Sequence, residues 1–364
     1  MRLPSFVLSG LVTCLALPAC SSSAPVFESE SESAIINGDD ADEAELDAVG
    51  QLMMEDTEGT LQFTCTGTLI GPSTVLTAKH CVIDSPMNNR VNLDYTPMYF
   101  AVGHDAHAPR QRVRVSSAMV SALRDGTYSP WGNDVAIYQL AEPVAGVRPL
   151  SVAARAPSTA HVGELWTAVG YGRQIANDRE SVGQRRKAQL IVKATSGQPL
   201  THEFESKDAY FDWLRSTRDP DIFESNQETY ERNWETAMLV GHEFYAGVQL
   251  ESGPCTARGD SGGPILRREG SHWTIYGVVS GGHPATPSRC FGTYYAAFGE
   301  PVQDMLRTAA NDPCNGVPLT GRCRGNVAES CSTPLDPQRR VVREECTTGC
   351  TELSEYRIFR ATCD

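Results

Sequence analysis

The chain has 364 residues, enough to bury a sizeable core in one large or two smaller domains. Its formal net charge is −14, with no basic run able to follow a phosphate backbone, which argues against a nucleic-acid partner. Hydrophobic residues make up 40%, ordinary for a soluble globular protein, and the acidity reads first as solubility.

Arg2 and the apolar stretch from Phe6 to Leu17 read as an export signal over residues 1–20. Leu17-Pro18-Ala19-Cys20 resembles a bacterial lipobox, in which Cys20 is lipidated and becomes the mature N-terminus. The alternative is an ordinary secretory cut, for example after Ala24, where Ser22-Ser23-Ala24 supplies small residues. The protein is thus expected outside the cytoplasm, as a bacterial outer-membrane lipoprotein or a secreted protein. Any membrane contact would be through a lipid anchor at Cys20, since no other apolar run approaches the ~18 residues of a bilayer span. Residues 21–34, rich in Ser and Glu, form a solvated spacer that ends at Ile35-Ile36-Asn37-Gly38.

From about Gln51 to Phe298 the texture is β. Short runs of Val, Ile, Thr, Leu and aromatics predict strands at Leu61-Ile70, Ser73-Ala78, Met98-Gly103, Arg112-Val120, Val135-Leu140, Leu165-Gly170 and Lys187-Ala194. Further strands are predicted at Ala237-Gly241, Pro264-Leu266, Thr274-Ser280 and Thr293-Phe298. Without strand-helix alternation, these indicate an all-β sandwich or barrel. Residues 203–236, charged and rich in aromatics, read as a mostly helical insertion. Val302, Met305, Leu306 and Ala309 predict a short amphipathic helix closing the domain.

Export makes the cysteines structural. Besides Cys14 in the signal and Cys20, there are Cys65, Cys81, Cys255 and Cys290, then Cys314, Cys323, Cys331, Cys346, Cys350 and Cys363. The last six crowd residues 312–364, a separate module too small to fold without staples. Six cysteines allow fifteen pairings, and the sequence does not choose among them. A zinc site is the alternative, disfavoured because no histidine follows His283. No metal or other cofactor is expected.

Cys255-Thr-Ala-Arg-Gly-Asp-Ser-Gly-Gly-Pro264 carries the chemistry. Glycines at 259, 262 and 263 permit a sharp turn that comes close to a substrate. Such a turn aims the N–H groups of Gly259 and Ser261 at one point, an oxyanion hole for acyl transfer. A serine hydroxyl needs a histidine and a buried carboxylate to become a nucleophile. Thr77-Ala78-Lys79-His80-Cys81 offers the histidine. Asn133-Asp134-Val135-Ala136 offers an acid leading into an apolar strand.

The order His80, Asp134, Ser261, with Ile35-Ile36-Asn37-Gly38 before it and Val278-Val279-Ser280-Gly281-Gly282 after, resembles the trypsin-like (chymotrypsin-fold) serine endopeptidases. The resemblance covers about residues 35–310. It implies two six-stranded antiparallel β-barrels with a C-terminal helix, followed here by the small disulfide-rich module. It implies that Ser261 attacks the scissile carbonyl, His80 moves its proton and Asp134 orients His80. Ser280 would bond the aspartate, and Ser280 to Gly282 would hold an extended substrate strand. Cys65 with Cys81, and Cys255 with Cys290, resemble two of the family's disulfides. Cys255 stands further from Ser261 than is usual, closer to the family's bacterial secreted type, to which small C-terminal cysteine-rich modules are also appended. Lys79, where the family more often has alanine, is expected to reach solvent.

The resemblance further implies a zymogen. Cleavage before Ile35 by an activating protease would free an ammonium that pairs with Asp260 and orders the nucleophile loop. The domains would be a signal at 1–20, a propeptide at 21–34, a protease domain at 35–311 and the module at 312–364. For the substrate pocket, Gly253 or Cys255 falls at the floor, Gly282 and Gly292 at the walls and Arg258 at the rim. No acid is at the floor, which predicts a large uncharged side chain before the scissile bond; the alternative is that Arg258 favours an acidic one. Protein or peptide substrates are the expected partners, and a monomer is the expected state. The competing class is a non-catalytic binding protein on a protease fold, recognising its partner through the insertion or the module.

Overall fold

The computed structural model describes residues 35–364 apart from 85–89, 95, 122–132, 176–177, 179–180, 249–252, 283–288, 311–320, 332–340, 356–357 and 364. The expected signal and spacer, with Cys20, lie outside the described residues, as does Cys314.

Twelve strands build two closed antiparallel barrels. The first uses β1 (Val49–Glu55), β2 (Leu61–Gly71), β3 (Thr74–Thr77), β4 (Met98–Val102), β5 (Gln111–Val120) and β6 (Ala136–Leu140). Their order is β1-β2-β3-β6-β5-β4, and β4 pairs back onto β1. The second uses β7 (Leu165–Gly170), β8 (Arg186–Ala194), β9 (Glu243–Gly247), β10 (Pro264–Glu269), β11 (His272–Gly282) and β12 (Thr293–Ala297). Its order is β8-β7-β10-β11-β12-β9, closed by the pairing of β9 with β8. This is the chymotrypsin-like architecture, and closure leaves neither sheet an open edge to protect.

Period-two patterning explains the strands. Along β8 the buried Ala188, Leu190 and Val192 alternate with the more exposed Lys187, Gln189 and Ile191. In the first barrel Phe100 is fully buried and lies over Gly50, where any Cβ would come 2.5 Å from its ring.

Two expectations need correcting. Val49–Glu55 is a full strand that the sequence reading did not single out. The strand expected at Ala237-Gly241 is a loop making one isolated bridge, Met238 to Gly197, and pairing begins only at Glu243. The physical reason is local: Gly241 sits at φ +82° and Val240 is 74% exposed, so the run has no sheet face to bury.

The insertion is helical, with α1 (Lys207–Thr217), α2 (Pro220–Ser225) and α3 (Gln227–Glu235). Ser206 Oγ caps α1 by accepting from the Ala209 N–H, and Asp219 caps α2 ahead of Pro220. Its own small core of Phe204, Tyr210, Phe211, Leu214 and Phe223 takes in Phe291, two residues before β12. The closing helix is α4 (Glu300–Ala310). Beyond it, β13 (Arg322–Arg324), β14 (Val327–Cys331) and β15 (Val341–Glu345) form one sheet, and β16 (Cys350–Glu355) pairs with β17 (Ile358–Cys363). A Cys323–Cys350 disulfide joins the two, and Cys346 is also disulfide-bonded.

Truncating Phe100 to alanine should cost about 3–5 kcal/mol, as burial of a large aromatic in a closed barrel predicts. Urea denaturation of the two proteins measures the difference.

Candidate active site

β3 ends at Thr77, and a single 3-10 turn, Lys79–Cys81, carries His80 away from it. The Cys65–Cys81 disulfide fastens that turn to β2. On the neighbouring strand, where Thr77 pairs with Ala136, Asp134 stands just before β6, set by Asn133 in the left-handed region at φ +57°. Asn133 is held in turn by His242, whose Nδ1 lies 2.7 Å from its Oδ1.

The two sites meet. His80 Nδ1 lies 2.7 Å from Asp134 Oδ2, and the His80 backbone N–H donates to Oδ1 at 2.9 Å. Ser280 Oγ donates to Oδ2 at 2.7 Å. Because a carboxylate only accepts, Nδ1 bears the proton and Nε2 is left as the basic nitrogen. Burial works against an imidazolium here, but the Asp134 charge and hydrogen bond outweigh it and hold the His80 pKa above its ordinary value.

The glycine-rich turn is seated against the same strand end. Gly262 donates to the Val279 carbonyl and Val279 to that of Gly263, both at 2.8 Å, while Thr66 donates to the Ser261 carbonyl at 2.9 Å. A Cβ on Gly262 would come 2.8 Å from the backbone nitrogen of Ala78, two residues before His80. Ser261 therefore follows the contour of the loop that presents the imidazole. Gly259 adopts φ +103°, and a Cβ there would meet the Phe63 ring at 2.5 Å. Among the described residues, no protein group accepts from the N–H of Gly259 or of Ser261.

Between them, Asp260 is fully buried and faces the opposite way. Its Oδ1 accepts from Gly172 N–H at 2.8 Å and its Oδ2 from Ala257 N–H at 2.7 Å. Gly170 and Gly172 make the space, since a Cβ on either would collide with the carboxyl group. Burial pushes the Asp260 pKa up to about 7 despite those two hydrogen bonds. Ile35 is fully buried too, at φ +52°, a costly conformation for a β-branched residue. Ile36 forms a bridge with Cys255, whose N–H donates to the Ile36 carbonyl at 3.1 Å, and Cys255 is bonded to Cys290.

Comparison with known proteins points the same way. The trypsin family profile matches residues 35–209. Just under half of the chain is thus similar to the trypsin family. The match ends inside α1, soon after the insertion begins. Among curated relatives, a snake venom serine protease, Haly-2, of Gloydius brevicauda is 27% identical over 60% of this chain and 68% of its own length. Serine protease VLSP-1 of Macrovipera lebetinus is 30% identical over 31% of this chain, which spans only 40% of that protein. Snake venom serine protease homolog 1 of Trimeresurus stejnegeri is 26% identical over 65% of this chain and 74% of its own.

The pocket residues are spread over three segments. Gly253 is buried and its carbonyl accepts from Asn37 Nδ2 at 3.5 Å, while Arg258 is exposed. Gly281 and Gly282 pair with Tyr294 and Thr293, which brings Gly282 beside Gly292. Lys79 departs from expectation: its Nζ donates to the Ser121 carbonyl at 3.3 Å and is half-buried. Cys65, His80 and Cys81 place potential ligand atoms within 4.8 Å of one another, but both sulfurs are spent in their disulfide.

Three buried groups escaped sequence reading. Lys193 and Glu203 form an ion pair at 2.8 Å, with side chains only 7% and 5% exposed. Glu243 is 3% exposed, its pKa raised to about 7 by burial, with the Leu239 N–H opposing and the Asp134 charge adding. None sits in a recognisable pattern, and charges in an insertion read as a solvated face.

His80 should titrate above its free value of ~6.5. Replacing Asp134 by Asn removes both causes that raise it and leaves the desolvation that lowers it, so the midpoint should fall. NMR titration of the ring protons measures both.

Proposed function

We propose that this protein is a serine endopeptidase, exported and made as a zymogen, working through Ser261, His80 and Asp134. The observation that carries this is Asp134: it accepts from His80 at two atoms and from Ser280, beside a turn whose Gly259 and Ser261 N–H groups have no protein acceptor among the described residues. Asp134 keeps the proton on Nδ1, so Nε2 takes the proton of Ser261 as its oxygen attacks a peptide carbonyl. The Gly259 and Ser261 N–H groups receive the oxyanion. His80 then protonates the leaving amine, giving an acyl-enzyme, and water repeats the sequence in reverse. The two protonation states of His80 alternate, and Asp134 stabilises the charged one.

The zymogen reading rests on Asp260 and Ile35. In the continuous chain Asp260 is buried with hydrogen bonds but no cation beside it among the described residues, and its pKa rises accordingly. A cut before Ile35 would release an ammonium from a residue already buried, with its neighbour docked on Cys255. Neutralising Asp260 would stabilise the loop that shapes Gly259 and Ser261. Ala34 before the cut disfavours an activator that requires a basic residue. The protease domain would run from 35 to 311 and the cysteine-rich module from 312 to 364, the latter serving stability or surface binding.

Activity requires neutral His80, so it should fall as pH drops through the raised His80 pKa. The acid limb of kcat/KM for a chromogenic peptide, measured on protein cut before Ile35, should therefore lie above pH ~6.5. Asp134→Asn should lower kcat by about 10³–10⁴. An Asp134→Asn enzyme as active as wild type would refute the reading.

Cleavage before Ile35 should raise the thermal midpoint, and Asp260→Asn should abolish that increment. Calorimetry of cut and uncut protein, each with and without the substitution, reads it directly.

A further inference from the structure

The insertion does more than pack on the barrel. Its first residue, Glu203, reaches under the substrate-pocket wall, where Oε1 accepts from Lys193 Nζ at 2.8 Å, Tyr245 OH at 2.9 Å and the Gly292 N–H at 3.3 Å. Lys193 Nζ also donates to the Val248 carbonyl at 3.2 Å. On the other side of Glu203, its own carbonyl accepts from Arg289 at 2.6 Å, and that guanidinium lies 4.8 Å from the Phe291 ring centroid. Residues 289–292 are thus held to the insertion at both ends.

The wall is built of glycine, with one aromatic ring against it. A Cβ on Gly247 would come 2.6 Å from Gly292 Cα and 3.6 Å from Lys193 Nζ, one on Gly282 would come 3.2 Å from the Gly292 carbonyl oxygen, and one on Gly292 would strike the Tyr245 ring at 2.4 Å. Three glycines therefore abut, and the ion pair meets them at backbone beside Tyr245. Glu203 Oε2 has no hydrogen-bond partner among the described residues.

We propose that the Lys193–Glu203 pair sets the charge selectivity of the substrate pocket: paired, it keeps the pocket neutral and selects an uncharged side chain before the scissile bond. This rests on the peptidase reading above. A buried carboxylate that has lost its cation needs another, so removing Lys193 turns Glu203 into an acceptor for a substrate lysine or arginine. Removing Glu203 leaves an ammonium that favours an acidic side chain. The pair is a specificity determinant with no part in bond making, and its loss acts on binding more than on the chemical step.

The test is a panel of chromogenic peptides identical except for Leu, Glu, Lys or Arg before the scissile bond, read as kcat and KM on the cut, full-length chain. Wild type should prefer Leu. Lys193→Met should raise kcat/KM for Lys or Arg relative to Leu by roughly 10- to 100-fold through KM, and Glu203→Gln should do the same for Glu. The double variant and Lys193→Arg should both keep the Leu preference. Single variants with the wild-type ranking would overturn the proposal, as would a wild-type preference for Lys or Arg. Should Lys193→Met fail to fold, wild type alone still decides: benzamide should inhibit at least as well as benzamidine, and a benzamidine preference of about tenfold or more would overturn it. A wild type that hydrolyses no peptide and binds neither inhibitor defeats the peptidase reading itself, and this inference with it.

Discussion

Taking a carboxylate out of water costs several kcal/mol unless hydrogen bonds or a cation replace its hydration. This fold does so beside its reactive loop at both Asp134 and Asp260, and the site is organised by how each is compensated. Asp134 accepts twice from His80 and once from Ser280, and so orients an imidazole. Among the described residues Asp260 has two backbone donors in a glycine cradle and no cation. One buried acid is finished in the continuous chain and the other is not. On the zymogen reading proposed above, a cut before Ile35 would remove that difference.

The barrels make these burials affordable. Each closed sheet supplies one side of the junction: the first delivers His80 and Asp134 from strand ends, the second delivers the 259–263 turn against β11. Thr66 ties the two together, its N–H on the Ser261 carbonyl and its hydroxyl on the Gly259 carbonyl at 2.8 Å. The disulfides Cys65–Cys81 and Cys255–Cys290 pin the histidine turn and the loop before Ser261. In the proposed mechanism these ties would hold Ser261 in place relative to His80.

Much of this was legible in the sequence because chemistry restricts the residue types. Glycine at 259 and 262 answers positive φ values and contacts that no Cβ would survive, and an acid opening an apolar strand marks Asp134. Less legible were partners chosen by space alone. Gly170 and Gly172 end an ordinary strand, yet they create the room for Asp260. Glu203 opens a charged, helical insertion that reads as solvated, and only the fold brings it to Lys193 and Gly292. The strand at Glu243–Gly247 was displaced from its expected place because its neighbour Val240 looked apolar and faces outward. In the cysteine-rich module the spacing was mute about pairing, and Cys323–Cys350 emerged only from three dimensions.

The account stands on one reactive oxygen. Treating the protein, cut before Ile35, with a fluorophosphonate probe and locating the adduct by mass spectrometry tests it most directly. The account predicts stoichiometric modification of Ser261 that disappears in His80→Ala. No modification of Ser261 after verified cleavage would contradict it, and the protease fold would then have to be carrying a binding function.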